Sequence, residues 1–297
     1  MSFSAHAPSI PPSAPPEVLR PAARGGPLCG LASRPPTRHD APMNYLLTND
    51  DGIQADGIRV LADAVRDLGT LHVVAPDGER SAIAQAITLD RPLYADPWPA
   101  PPAPPFGTAV SGTPADCVKI GIRQLLPTPP DLVLSGINLG PNAGISVLYS
   151  GTVSAATEAL ILGYPAIAFS LTTFTDPCWD TAARVARRIV EQVASGGLRL
   201  TPDTLWNVNI PNVPYAALRG IRLSRMGESR FIEHYTPVRD AAGRPCWTMQ
   251  GDLVELGDPD GTDLQALREN CVSLTPIRLD RTHHAALASL RRNPPAL

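Results

Sequence analysis

Lysine is almost missing: of the 25 basic residues in this 297-residue chain only Lys119 is a lysine, and the others are arginines. Any phosphate contact must therefore use Arg, Lys119, a nest of backbone N–H groups or a metal. Net charge is also slight, at −3, which gives no reason to expect a nucleic-acid polymer or an anionic membrane as partner. The five cysteines, Cys29, Cys117, Cys178, Cys246 and Cys271, form no CxxC pair, so zinc ribbons and thioredoxin-type motifs have no support. Scattered and odd in number, they suit a reducing cytosol, where most cysteines are small core residues. No apolar run reaches the length of a transmembrane helix, so the chain reads as soluble and cytoplasmic. The dinucleotide fingerprint GxGxxG, the phosphate loop GxxxxGK[ST] and the nucleophile elbow GxSxG are all lacking.

What is present divides at Met43. Residues 1–42 hold ten of the 34 prolines and show neither a strand nor a helix period. They lack the apolar core of a secretory signal, and their prolines oppose a transit-peptide helix. They read as a disordered extension, or as a mis-assigned start upstream of Met43. From there strands and helices alternate. Residues 45–48 form a buried strand; Ile58, Leu61, Ala62, Val65 and Leu68 follow at helical spacing, and residues 71–75 are a second apolar run. Such a strand–helix–strand unit favours a parallel α/β sheet with a right-handed crossover. Residues 92–105 read as a proline-rich loop. Thr113-Pro114 opens a helix, residues 131–135 a strand, 152–162 a helix and 166–170 a strand. A helical stripe from Ala182 to Val193 and a strand at 207–210 come next. Beyond about residue 215 the pattern predicts a protruding hairpin region, a strand at 271–275 and a last helix from about 282.

Polar residues gather where the strands end. The first strand runs into Asn49-Asp50-Asp51-Gly52, the second precedes Glu79-Arg80-Ser81, and the strand at 131–135 precedes Gly136-Ile137-Asn138. In an open parallel sheet ligands bind at the carboxyl ends of the strands. Asp50, Asp51, Ser81 and Asn138 would then share one edge: two carboxylates, a hydroxyl and an amide carbonyl. Adjacent carboxylates repel unless something positive holds them. This all-oxygen set suits Mg²⁺, Mn²⁺ or Ca²⁺ and argues against zinc. Each feature has a plainer alternative. Asp50-Asp51 could be a helix-capping turn, Gly136, Gly140 and Gly144 mere turn glycines, and Asn142 a left-handed turn residue. Ser150-Gly151-Thr152 before a helix is either a phosphate receptor or an ordinary N-cap. None of the six histidines lies in these loops, which leaves a Ser-His-Asp hydrolase without support. His72 is expected in the core or at an edge, and Cys117 as a buried structural thiol.

These blocks, taken in order, resemble the SurE survival-protein family of 5′/3′-nucleotidases. Thr48-Asn49-Asp50-Asp51-Gly52 resembles its opening; Ala75-Pro76-Asp77 with Arg80-Ser81, and Gly112-Thr113-Pro114-Ala115-Asp116-Cys117, are similar to the next two blocks. Ser135-Gly136-Ile137-Asn138 with Gly140-Pro141-Asn142, Ser150-Gly151-Thr152-Val153, Asn207-Val208-Asn209-Ile210-Pro211 and Val272-Ser273-Leu274-Thr275-Pro276 complete the likeness, from about residue 43 to 277. The resemblance implies a Rossmann-like three-layer αβα fold with a mainly parallel sheet. It also implies a C-terminal β-hairpin extension, about residues 215–297, that takes part in homodimer or homotetramer formation. The implied activity is hydrolysis of nucleoside monophosphates with one Mg²⁺ or Mn²⁺ per subunit on Asp50, Asp51, Ser81 and Asn138. Asn49, Asn142, Ser150, Gly151 and Thr152 are implied near the phosphate, and water or one of the two aspartates would be the nucleophile. Three departures stand out: residues 1–42, a longer loop at 92–105, and Asn270-Cys271 in place of a glycine–aromatic pair. The competing reading is a non-catalytic module that senses nucleotide or phosphate through the same cation site.

Overall fold

In a computed structural model, which describes residues 42–99, 104–201, 203–257 and 259–292, the first strand begins where the prolines give way to apolar residues. The proline-rich stretch 1–41 lies outside the described residues. Strand β1 (Met43–Thr48) buries its last four side chains, helix α1 (Asp56–Val65) follows, and β2 (Gly69–Pro76) pairs parallel to β1 with Met43 opposite Gly69. Strands β3 (Ala95–Trp98) and β4 (Gly107–Val110) come next, then helix α2 (Pro114–Ile120). Strand β5 (Leu132–Leu139), helix α3 (Gly151–Ile161), β6 (Ala166–Leu171), helix α4 (Trp179–Ala194) and β7 (Thr204–Ile210) continue the alternation. The last part holds β8 (Ile221–Leu223), β9 (Ser229–Arg239), β10 (Pro245–Glu255), α5 (Asp263–Arg268), β11 (Val272–Arg278) and α6 (His284–Arg292).

Nine strands form one sheet in the order β3-β4-β2-β1-β5-β6-β7-β11-β8. It is mainly parallel; β3 against β4 and β11 against β7 are antiparallel. Alternation along the buried strands sends side chains to two cores. Tyr45, Leu47, Leu134 and Phe169 pack under α1 and α4, and Leu46, Val133 and Ala168 pack under α2 and α3. Leu46 and Leu47 are fully buried, each worth roughly 1.5–3 kcal/mol of transfer free energy. This is the expected three-layer α/β arrangement. Strands β9 and β10 stand apart as a two-stranded antiparallel hairpin, with Ser229 opposite Glu255 and Arg239 opposite Pro245.

The chain leaves β1 for β2 on one side, and β5 then adds on β1's other side. The crevice outside β1 and β5 is therefore a topological switch point, where open α/β sheets take their ligands.

Four sequence expectations need correction. The predicted loop at 92–105 contains β3, whose Pro97 is tolerated because the strand lies at the sheet's edge. Strand β5 does not stop before Gly136 but runs to Leu139 with a register shift between Ser135 and Asn138. Gly136 carries φ +121°, and a Cβ there would fall 2.3 Å from the Phe169 carbonyl oxygen; the residue that looks like a strand breaker admits a bulge. The strand expected at 71–75 begins earlier, at Gly69, so His72 lies inside it. Helix α5, six residues long, is too short for its period to show. Among the described residues no helix is long and apolar enough to cross a membrane.

Gly57 gives a test of the α1–β5 packing. Replacing a helical glycine by alanine ordinarily stabilises by about 0.5–1 kcal/mol. Here a Cβ would lie 1.9 Å from the Ile137 carbonyl oxygen. Gly57→Ala is expected to reverse the usual sign and destabilise by about 1–3 kcal/mol, read as a lower urea midpoint.

Candidate active site

Asp50 follows β1 and is buried. Its carboxylate is received by the start of α3: the Thr152 hydroxyl donates to it, and the backbone N–H groups of Gly151 and Thr152 add to the hold. Only glycine fits at 151, because a Cβ there would lie 2.6 Å from the Cβ of Asp50. Burial pushes the Asp50 pKa up, and these donors oppose the rise. The backbone N–H of Arg80 also donates to the Asp50 carbonyl at 2.7 Å, tying the loop after β2 to the end of β1.

Asp51 is pushed up to about 7, first by burial and then by the charges of Asp50 and Glu79; the Leu139 N–H at the end of β5 acts the other way. Among the described residues, no basic side chain contributes to either aspartate. Ser81 is exposed and donates to the Glu79 carboxylate. Asn138 donates from its amide to the Gly140 carbonyl at 2.7 Å, so its amide nitrogen is engaged and its side-chain oxygen is the atom that could serve as a ligand. Asp51, Ser81 and Asn138 line one cleft of about 490 Å³ together with Asp56, Glu79, Phe174 and Trp179. The lining carries three carboxylates and no basic group, so a phosphate entering alone would be repelled.

Those residues fit a hard cation. A divalent ion would relieve both the burial of the Asp51 carboxylate and its repulsion by Asp50 and Glu79, and the donors are all oxygens. Among the described residues no group of three or more His, Cys, Asp or Glu is placed to hold a metal. A cation here would therefore depend on Ser81 and Asn138 beside the two aspartates, with positions left for water and substrate.

The other predicted site residues are placed differently. Asn49 is buried and donates to the Gly52 carbonyl at 2.8 Å, while its Oδ1 is buried with no hydrogen-bond partner. Ser150 caps α3 by accepting from the Val153 N–H at 3.1 Å. Asn142 is held from β7: Asn207 and Asn209 donate to its carbonyl at 2.7 and 3.1 Å, and its amide donates to Ser170 at 2.9 Å. Neither Asn142 nor Ser150 lines the cleft that holds Asp51. Cys117 is buried, and burial pushes its thiol well above the usual range, so it is a packing residue.

Several contributors escaped the reading by motif. Glu79 stands two residues before Ser81 and shapes the charge of the cleft; a second acid near a paired aspartate was the available signal. The block Asn207-Val208-Asn209 has no role assigned by its motif; its alternation places both amides on one face of a strand, toward Asn142. Phe174 comes from the loop after β6 and Trp179 from the first residue of α4, and neither belongs to a motif.

Residues 45–233 match the family model described as Survival protein SurE. The chain belongs to the SurE family. Among SurE relatives, a protein of Pelotomaculum thermopropionicum called 5′-nucleotidase SurE is 45% identical over 252 residues, covering 84% of this chain and 95% of its own. One of the same name from Geobacter metallireducens is 43% identical over 250 residues, covering 84% and 96%. The crystal structure of the SurE protein from Aquifex aeolicus superposes with a TM-score of 0.72 at 38% identity, over 84% of this chain and 98% of that one. The SurE chain thus has the family's α/β frame around the crevice where Asp50 meets α3.

Thr152 tests how that carboxylate is held. A hydrogen bond to a charged group is worth about 1.5–3 kcal/mol. Thr152→Val is expected to weaken Mn²⁺ binding by roughly tenfold or more, measured by calorimetric titration, and Thr152→Ser to retain most of it.

Proposed function

We propose that this SurE-family protein is a divalent-cation-dependent phosphomonoesterase that hydrolyses nucleoside monophosphates to nucleoside and phosphate. One observation carries the reading: Asp51, Ser81 and Asn138 line a single cleft at the sheet's switch point, with Asp50 held beside them by α3. Curated relatives matching over 84% of the chain are called 5′-nucleotidases.

Asp50, Asp51, Ser81 and Asn138 would hold one Mg²⁺ or Mn²⁺ per subunit. When bound, the cation supplies positive charge against the phosphoryl oxygens. The chain's own groups do the positioning. The start of α3 fixes Asp50, the Leu139 N–H fixes Asp51, and Glu79 orients the Ser81 hydroxyl. For the phosphate side, the Ser150–Thr152 turn at the start of α3 lies beside Asp50, whereas Asn49 has weaker support because its amide is engaged by the Gly52 carbonyl. Asn142 has weaker support because its amide is engaged by Ser170.

A dimer or tetramer formed through residues 215–297 belongs to the same proposal. A lone two-stranded ribbon is marginal in water, and β9–β10 leaves Tyr235, Trp247 and Met249 more than half exposed. A cytoplasmic location is supported by the free cysteines at 117, 178, 246 and 271.

Protein stripped of metal is expected to release no phosphate from nucleoside 5′- and 3′-monophosphates and to recover with Mg²⁺ or Mn²⁺. Asp50→Asn is expected to lose roughly 100-fold or more of kcat, since a ligand charge disappears from the site. Nucleotide binding without turnover under any metal would instead identify a sensing module.

A further inference from the structure

An aromatic ring stands at the rim of the cleft with nothing to do for the fold. Phe174 is 77% exposed, although burying a phenylalanine is normally among the larger favourable terms in folding. The other aromatic residue of the rim, Trp179, is packed against the core under α1 and α4. Phe174 instead rests on Gly140, at the turn that follows Asn138. A Cβ at Gly140 would lie 2.4 Å from the ring, and φ there is +108°. The turn that positions a proposed cation ligand is thus also the seat of the ring.

The loop bearing Phe174 is fastened at both ends by one residue. Asn212 donates its backbone N–H to the Thr172 hydroxyl at 3.1 Å and its amide to the Asp176 carbonyl at 3.2 Å, and it accepts from the Cys178 N–H at 2.8 Å. The Thr172 N–H donates to Ile210 at 2.9 Å. An exposed apolar ring on a fastened loop loses little entropy when a flat partner covers it. The cleft, at about 490 Å³, is also larger than a phosphate group requires.

We propose that Phe174 is the platform on which the nucleobase of the substrate stacks, while the phosphate lies at Asp50, Asp51, Ser81 and Asn138. This rests on the nucleotidase reading above and names what it leaves open: how the site holds the nucleoside end. Every base has a π face, so such a platform grips purines and pyrimidines without reading their edges. It favours nucleotides over base-free sugar phosphates.

The test compares AMP and UMP with ribose 5-phosphate, which lacks the base, in wild type, Phe174→Ala and Phe174→Trp, each loaded with Mn²⁺. Both KM and calorimetric affinity are read. Phe174→Ala is expected to raise KM and weaken binding for AMP and UMP by roughly tenfold more than for ribose 5-phosphate, with a much smaller change in kcat. Phe174→Trp restores the preference. Equal losses on all three ligands, no loss on any, or a changed oligomeric mass with the preference intact would overturn the platform. Wild type that turns over none of them overturns the nucleotidase reading instead, and the calorimetric ratio then decides the platform by itself.

Discussion

Two consecutive carboxylates at the end of a buried strand repel each other, and in a low-dielectric crevice that repulsion is expensive. Much of the local architecture answers it. Helix α3 begins where Asp50 needs donors, Gly151 is small enough to let the two backbones meet, and Thr152 adds its hydroxyl. Asp51 is served from another direction by the Leu139 N–H, which is available because β5 continues past its bulge. These donors reduce the cost without removing it, as the lifted pKa of Asp51 records. The residual charge is the physical basis for the proposed cation.

The frame around this pair is stiff for ordinary reasons. Parallel strands buried on both faces carry apolar residues at nearly every position, and two helical layers seal them. Many of the buried polar side chains lie near the carboxyl ends of the strands. There Asn142, Ser170, Asn207 and Asn209 hydrogen-bond one another across three segments, and among the described residues the buried Oδ1 of Asn207 is left without a partner. Four hydrogen bonds onto Asn142 hold the segment after β5 against β6 and β7. The same segment carries Asn138 and Gly140, so the cation side of the cleft and the seat of Phe174 share a single support.

Much of this was legible in the residues. The period of Ile58, Leu61, Ala62 and Val65 announced α1, Thr113-Pro114 announced α2, and apolar runs ending in Asp, Ser and Asn placed the polar groups at the sheet's carboxyl edge. Signals failed where they were weak or misleading. Gly136 reads as a strand end in any local rule, yet it lies within β5 because only glycine fits against Phe169. Pro97 argues against a strand, yet an edge position tolerates it. Asn270, where the resemblance implies a glycine, adopts φ +56°, a conformation that asparagine tolerates better than most residues.

The sequence by itself therefore determined the α/β alternation, the carboxyl-edge location of Asp50, Asp51, Ser81 and Asn138, and the oxygen-only chemistry of that set. These follow from period and residue type, which act over short stretches of chain. Tertiary structure alone decided that α3 holds Asp50, that Glu79 faces Asp51, that β7 locks Asn142, and that Phe174 is left uncovered at the rim. Each depends on segments distant in sequence meeting at one point, and no local propensity encodes such a meeting.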